Sequence, residues 1–269
     1  MNAPASEAPK TVVVKISGAS LRGDSHGSSY DIPFLHRIAV QLGKLLERDP
    51  ALRFILVLGG GNLLRGSEIF ADFEMIDGSI PKPRSARISS RLDFAGMFGT
   101  VANALVFSAV LERIGLQHQI LSKLPLENYS EAYSRRAASE ALAARRIVIV
   151  AGGVGEPNFT TDSVAFYLAE QHGANRVLFG KHRVNGIFNA DPSTTSAPEF
   201  ISEISFADLA RRKLNIFGSK ATQIAAKIEN SIEVQVFDIA PPSSLLDAFF
   251  YRGRFTTIRN GAKKERDPR

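Results

Sequence analysis

Cysteine is absent from the 269-residue chain, and so is tryptophan. The first absence removes disulfides, thiolate metal sites and cysteine nucleophiles together, and it fits a reducing compartment. Chemistry must therefore come from hydroxyls, carboxylates, ammonium and guanidinium groups, imidazoles and the backbone. The opening residues, MNAPASEAPK, have neither the basic n-region nor the apolar h-region of a secretory leader. No later segment is expected to reach the roughly 18 to 20 apolar residues a membrane span needs, which points to a cytoplasmic protein without membrane contact. Two familiar phosphate signatures are also missing: no G-x-x-x-x-G-K-[ST] occurs, and no loop spells G-x-G-x-x-G between a strand and a helix. Internal repeats and domain-separating linkers are absent as well.

What is present is enough apolar material, 44% of residues, for one sizeable core without staples. The formal charge is +6 and the pI about 9.6, but the basic residues are scattered, with small clusters at Arg135-Arg136, Arg145-Arg146 and Arg211-Arg212-Lys213. They read as solvated helix faces and not as a nucleic-acid footprint. The expected layout is a disordered segment 1–10, one domain over 11–260 and a frayed, charged tail over 261–269.

Thr11 to Ile16 (TVVVKI) is a β-branched run ending at Ser17-Gly18, and Arg53 to Leu58 (RFILVL) runs directly into Gly59-Gly60-Gly61. Both read as buried strands feeding glycine turns. Between them, Leu35, Ile38, Leu42, Leu45 and Leu46 recur at helical spacing, which predicts a helix over Phe34 to Arg48. Ala71 to Ser90 has a polar, Gly- and Pro-containing stretch without clear period and is expected to be mostly a flexible loop. A long helix is predicted from Asp93 to Ile114, and further strands at His118 to Leu121, Ile147 to Ala151, Arg176 to Phe179 and Val234 to Phe237. The alternation predicts a three-layer α/β/α sandwich around a mainly parallel sheet.

In open α/β sheets ligands sit at the carboxyl ends of the strands, so the loops there are the place to look. Three are glycine-rich: Ser17-Gly18, Gly59-Gly60-Gly61-Asn62 and Gly152-Gly153-Val154-Gly155. Glycine lets backbone N–H groups approach an anion, although any one such loop is also ordinary turn geometry. Lys15, in an apolar strand one step before its turn, either meets an anion or snorkels from the strand end. Arg65 is spaced after the triplet to grip a phosphate bidentately, or is a surface arginine. Asp162 follows a glycine-proline loop at a helix start, where its plainest role is an N-cap.

Together, Lys15-Ile-Ser-Gly18, Gly59-Gly-Gly-Asn-Leu-Leu-Arg-Gly66, Asp93 to Leu105 and Gly152-Gly-Val-Gly-Glu-Pro-Asn-Phe-Thr-Thr-Asp162 resemble, in order, the motifs of bacterial uridylate kinases. Val184-Asn-Gly-Ile-Phe-Asn-Ala-Asp-Pro192 resembles that family's adenine-site segment, and the resemblance runs from about Thr11 to Ile258. It implies the amino-acid-kinase fold and phosphoryl transfer from ATP to UMP in pyrimidine biosynthesis, with magnesium carried on the ATP oxygens. No metal site is implied within the protein. By the same resemblance, Lys15, Ser17 and Gly18 hold ATP phosphates, while Gly60, Gly61 and Arg65 lie where the two phosphates meet. Asp93 takes the acceptor's nucleoside, and Val154, Gly155, Glu156, Pro157, Asn158, Phe159, Thr160 and Thr161 line the uridylate pocket. Asp162 organises the cations around the transferring group, with His182, Phe188 and Asp191 on the adenosine side. A homo-oligomer, a hexamer built from dimers, is implied too.

The chain departs from that pattern at Ala19 (usually Glu), at Gly180 (a lysine, here found one step later as Lys181), at Asn185 (Asp) and at Phe217-Gly218 (Met-Asp). Gly218-Ser219-Lys220 instead resembles the glycine, serine or threonine, lysine element of other amino-acid kinases such as glutamate 5-kinase, which makes Lys220 a candidate catalytic cation or, alternatively, a solvated first-turn lysine. Two other functions stay open: transfer to a different small acceptor, and nucleotide binding or storage without catalysis.

Overall fold

β-Branched and aliphatic residues crowd the runs marked as strands, and those runs form the centre of one sheet. The computed structural model describes residues 10–22, 28–77, 81–157, 159–190, 198–214, 216–228 and 232–259. In chain order the elements are β1 (Lys10–Ile16), α1 (Gly18–Arg22), α2 (Ile32–Arg48), β2 (Leu52–Leu58), α3 (Gly66–Asp77), α4 (Lys82–Arg113), β3 (His118–Ser122), β4 (Glu131–Ala132), α5 (Arg135–Ala143) and β5 (Ile147–Ala151). They continue with α6 (Thr161–Gln171), β6 (Arg176–Lys181), β7 (Ile187–Phe188), β8 (Phe200–Ile201), β9 (Glu203–Ser205), α7 (Phe206–Arg211), α8 (Ser219–Lys227), β10 (Glu233–Asp238), α9 (Ser244–Phe249) and β11 (Thr256–Arg259).

The main sheet runs β4-β3-β5-β2-β1-β6-β10-β11-β9, and β7 pairs separately with β8. Its pairings are parallel except the antiparallel β10–β11 pair. Period-two alternation divides the strand residues between two cores. Val13, Ile55, Val57, Val148, Val177 and Phe179 face α5, α6 and α8, whereas Val12, Val14, Ile16, Leu56, Ile149 and Leu178 face α2, α4 and α9. This is the expected three-layer sandwich.

Helix α2 begins two residues before the predicted Phe34, because Asp31 accepts a hydrogen bond from the Phe34 N–H at 2.9 Å and Pro33 tolerates the first turn. The larger correction concerns Ala71 to Ser90. Where a loop was expected, α3 runs to Asp77 and α4 starts at Lys82, eleven residues ahead of the predicted Asp93. Pro81 and Pro83 punctuate the start of α4 and do not break it, since a first turn needs no N–H there. Residues 94–111 of α4 form an uncharged stretch long enough by composition to cross a membrane, contrary to the expectation that none exists. Half of it is buried, with Met97, Val101, Ala104, Phe107 and Leu111 packed inside the protein, which marks it as a core helix. Of the segment 1–10 expected to be disordered, Lys10 opens β1; residues 1–9 and the tail 261–269 lie outside the described residues.

Candidate active site

Lys15 shares its strand face with Val13, so its side chain enters the layer beneath α6 and not the α2 side. It is buried, only 5% exposed, and its Nζ lies 2.7 Å from Oδ1 of Asp162. Lys181, on the same face of the neighbouring strand β6 as Val177 and Phe179, donates to Asp162 Oδ2 at 3.1 Å and to the Ile216 carbonyl at 2.9 Å. One buried carboxylate thus holds two ammonium groups at the carboxyl ends of β1 and β6. Burial works against the charge on Asp162, but Lys15 and Lys181 outweigh it and hold its carboxyl below the usual carboxylate range. Lys181 is pulled down by burial, partly offset by Asp162, with Lys15 adding to the depression.

Asp162 is not the N-cap the sequence suggests. Thr160 takes that role, its Oγ1 accepting from the Ser163 N–H at 3.3 Å, which frees the carboxylate of Asp162 for the lysines. The shifted lysine also has a steric explanation. A side chain at Gly180 would point to the opposite face and collide with Ile239, whereas position 181 projects toward Asp162.

The first two glycine loops touch backbone to backbone, Gly18 lying against Gly59 and Gly61. Gly60 abuts α4 so closely that a Cβ there would meet the Gly96 carbonyl at 2.7 Å. Two polar residues on the buried side of α4 fix the loops. Asn103 donates to the Gly59 carbonyl at 2.6 Å and exchanges reciprocal amide hydrogen bonds with Asn62, at 2.7 and 3.1 Å. Thr100, one turn earlier, accepts at 2.9 Å from the N–H of Gly152 in the third loop. Helix α4 therefore gathers loops that are far apart in sequence. Asp93 is half-buried on the same helix, one turn before Met97, which backs Gly153. Arg65 is exposed at the mouth of the second loop, its Nε donating to the Gly61 carbonyl at 3.1 Å and lying 3.5 Å from Glu68.

Ser17 pairs its hydroxyl with Ser20 at 3.3 Å at the start of α1. In the third loop, Val154, Gly155 and Pro157 are partly buried and Glu156 is exposed; Asn158 lies outside the described residues. Gly155 rests on the stem of Lys123, and the ring of Phe159 carries the Lys220 ammonium 3.6 Å from its centroid. Lys220 is thus on the edge of the third glycine loop, while the second cation at Asp162 is Lys181. Thr161 opens α6 next to the cap. Phe188 lies on the β7–β8 ribbon beyond β6, edge-on to Phe200, with Arg254 over both rings; His182 follows β6 directly, and Asp191 lies outside the described residues.

From sequence, Lys181 stands out only as a family lysine displaced by one step, and Asn62, Thr100, Asn103 and Lys123 receive no role there. For Lys181 a signal existed: like Lys15, it is a lysine closing a buried apolar run. Thr100 and Asn103 are polar residues spaced i, i+3 in an uncharged helix, a pattern that turns one face toward something needing hydrogen bonds.

The sequence model described as Amino acid kinase family matches residues 10–238. The chain belongs to the amino acid kinase family. Among its relatives, a uridylate kinase of Anaplasma phagocytophilum (strain HZ) is 32% identical over 247 residues, covering 92% of this chain and 93% of that protein. Two solved structures share the fold across nearly the whole chain. UMP kinase from Ureaplasma parvum matches with a TM-score of 0.81 at 25% identity, over 94% of this chain and 99% of that one. UMP kinase from Bacillus anthracis matches with a TM-score of 0.80 at 25% identity, over 95% and 98%.

Proposed function

We propose that this chain is a phosphotransferase that moves the γ-phosphoryl group of ATP to UMP, yielding ADP and UDP. The carrying observation is the buried Lys15–Asp162–Lys181 cluster at the carboxyl ends of β1 and β6, in a chain similar along its length to uridylate kinases. A phosphate oxygen of UMP attacks the γ-phosphorus as the bond to the β-bridging oxygen breaks, and the added negative charge spreads over the transferring oxygens. The protein's part is positioning and charge neutralisation. Two ammoniums against one carboxylate leave positive charge in excess, and because Asp162 fixes both lysines beforehand, little reorganisation is needed at the moment of transfer.

In this reading Lys15, Lys181, Ser17, Gly18 and Gly61 face the ATP phosphates, with Arg65 closing over the join. Gly60, Asp93 and the loop from Val154 to Thr161 take UMP; Asn158 is part of that assignment. Lys220 stands at the rim of the same loop, and His182, Phe188 and Asp191 belong to the adenosine side. Ammonium and N–H donors suit phosphate oxygens, and among the described residues no three carboxylates or imidazoles converge. Magnesium would accordingly be held by ATP oxygens and supply further neutralisation there. The working location is the cytoplasm, and the product feeds pyrimidine nucleotide synthesis.

Incubation of purified protein with ATP, magnesium and each nucleoside monophosphate tests the assignment. UDP formation should exceed ADP formation from AMP by about tenfold or more, since a site built to pair uracil's polar groups leaves about 1 to 3 kcal/mol of them unmet by adenine. Equal use of AMP or CMP would remove UMP as the acceptor and leave only the kinase assignment.

A further inference from the structure

The opposite end of the sheet holds a second cationic cavity that phosphoryl transfer does not use. Thr11 and Arg53 stand at the amino ends of β1 and β2, Arg135 and Ser139 lie on α5, and His172 follows α6; with Leu142 on one wall they enclose about 380 Å³. Among the described residues no carboxylate lines this space. Arg53 spends Nη1 on the carbonyls of Pro50 and Leu52, at 2.8 and 2.7 Å, while its Nε is buried without a hydrogen bond. Burial lowers the Arg53 pKa and the nearby Arg145 lowers it further, with only Asp49 opposing them. Burial and then Arg135 do the same to the His172 imidazole. A concave site walled by two guanidinium groups and an imidazole, with no carboxylate among the described residues, is short of negative charge.

We propose that this cavity binds a small phosphate-bearing ligand, gripped by Arg53 and Arg135 with the Thr11 and Ser139 hydroxyls, at a site separate from the reaction centre. Guanidinium groups match phosphate oxygens in planar, bidentate fashion. The volume exceeds what inorganic phosphate fills and leaves an organic body room against Leu142. His172 is the natural reporter. Its Nε2 lies 3.1 Å from the Tyr133 hydroxyl, which donates to Gln171 at 2.6 Å. Arg135 and Tyr133 face it, with Arg53 across the cavity, and burial, reinforced by Tyr167, pushes the Tyr133 phenol up to about 12, above the histidine range.

The test follows the imidazole resonances of the full-length protein against pH in chloride, in inorganic phosphate and in adenosine 5′-monophosphate at matched ionic strength. Either phosphate probe should raise the His172 midpoint saturably, because an anion beside Arg135 favours the imidazolium. Tighter saturation by the nucleotide assigns the site to nucleotides, and equal saturation assigns it to free phosphate. Arg135→Ala, on the exposed first turn of α5, should weaken the probe at least fivefold while UMP phosphorylation without probe stays within twofold; Arg53→Gln should do likewise. Lys15→Met, which disables the reaction site, should leave the His172 response intact, so loss of kinase activity and loss of this site are told apart. An identical His172 midpoint in chloride and phosphate, or an undiminished response in Arg135→Ala, overturns the proposal.

Discussion

Lys181 shows how a one-residue offset in a strand becomes a change of chemistry. At position 180 a side chain would face Ile239; at 181 it reaches Asp162 and, through the Ile216 carbonyl, pins the segment leading to α8. Lys181→Met keeps much of the stem's bulk and removes the charge, so turnover should fall at least about tenfold, a loss of roughly 1.4 kcal/mol of transition-state stabilisation. The acid limb of stability should change as well. Asp162 has a depressed carboxyl pKa in the folded state, so its contribution is present above the unfolded carboxylate value and is lost as pH falls through the lower folded value. With one of its two ammoniums gone, that depression shrinks, and the drop in melting temperature between about pH 6 and pH 3 should be smaller than in the parent protein. Parallel melting profiles with unchanged turnover would show that Lys181 is only a strand-end lysine.

At the scale of elements, α4 determines the site's shape. Replacing Asn103 by Ala strands the Gly59 carbonyl and the Asn62 Oδ1 in a buried setting, at about 1 to 3 kcal/mol for such a group, while the Asn62 Nδ2 keeps its bond to the Ser29 carbonyl. Calorimetry should show a melting point lower by several degrees, on the scale of about 2–4 °C per kcal/mol for a chain of this size. An unchanged melting point would mean that the amide pair adds nothing. The strands of the core were legible because β-branched runs such as TVVVKI and RFILVL admit few other structures, and the glycine loops announced themselves at their ends. The stretch from Ala71 to Ser90 was not legible, because its prolines read as breakers when taken singly, although Pro81 and Pro83 sit where a helix start accepts them. The local pattern at Asp162 suggests an N-cap, a role its neighbour Thr160 takes instead; the resemblance gives Asp162 cations to organise, and the fold shows which two lysines converge on its carboxylate.

Over the whole molecule, the surface is less uniform than the scattered charge suggests. On α3, Phe73, Met75 and Ile76 are 45%, 78% and 76% exposed, and Phe98 on the adjoining α4 is 56% exposed. Exposed apolar side chains on neighbouring helices favour self-association. Light scattering should accordingly give a mass above the 29.3 kDa of one chain, with Met75→Glu and Ile76→Glu together shifting it downward; a monomeric parent protein would remove the oligomer assignment. The joining of two glycine loops to α4 also has a consequence for how the molecule comes apart. The Gly152 amide, bonded to Thr100, belongs to the cooperative unit of a buried core helix and not to that of a surface loop. Its hydrogen should exchange with solvent only when α4 itself undocks, so the loop stays ordered up to the threshold of global unfolding.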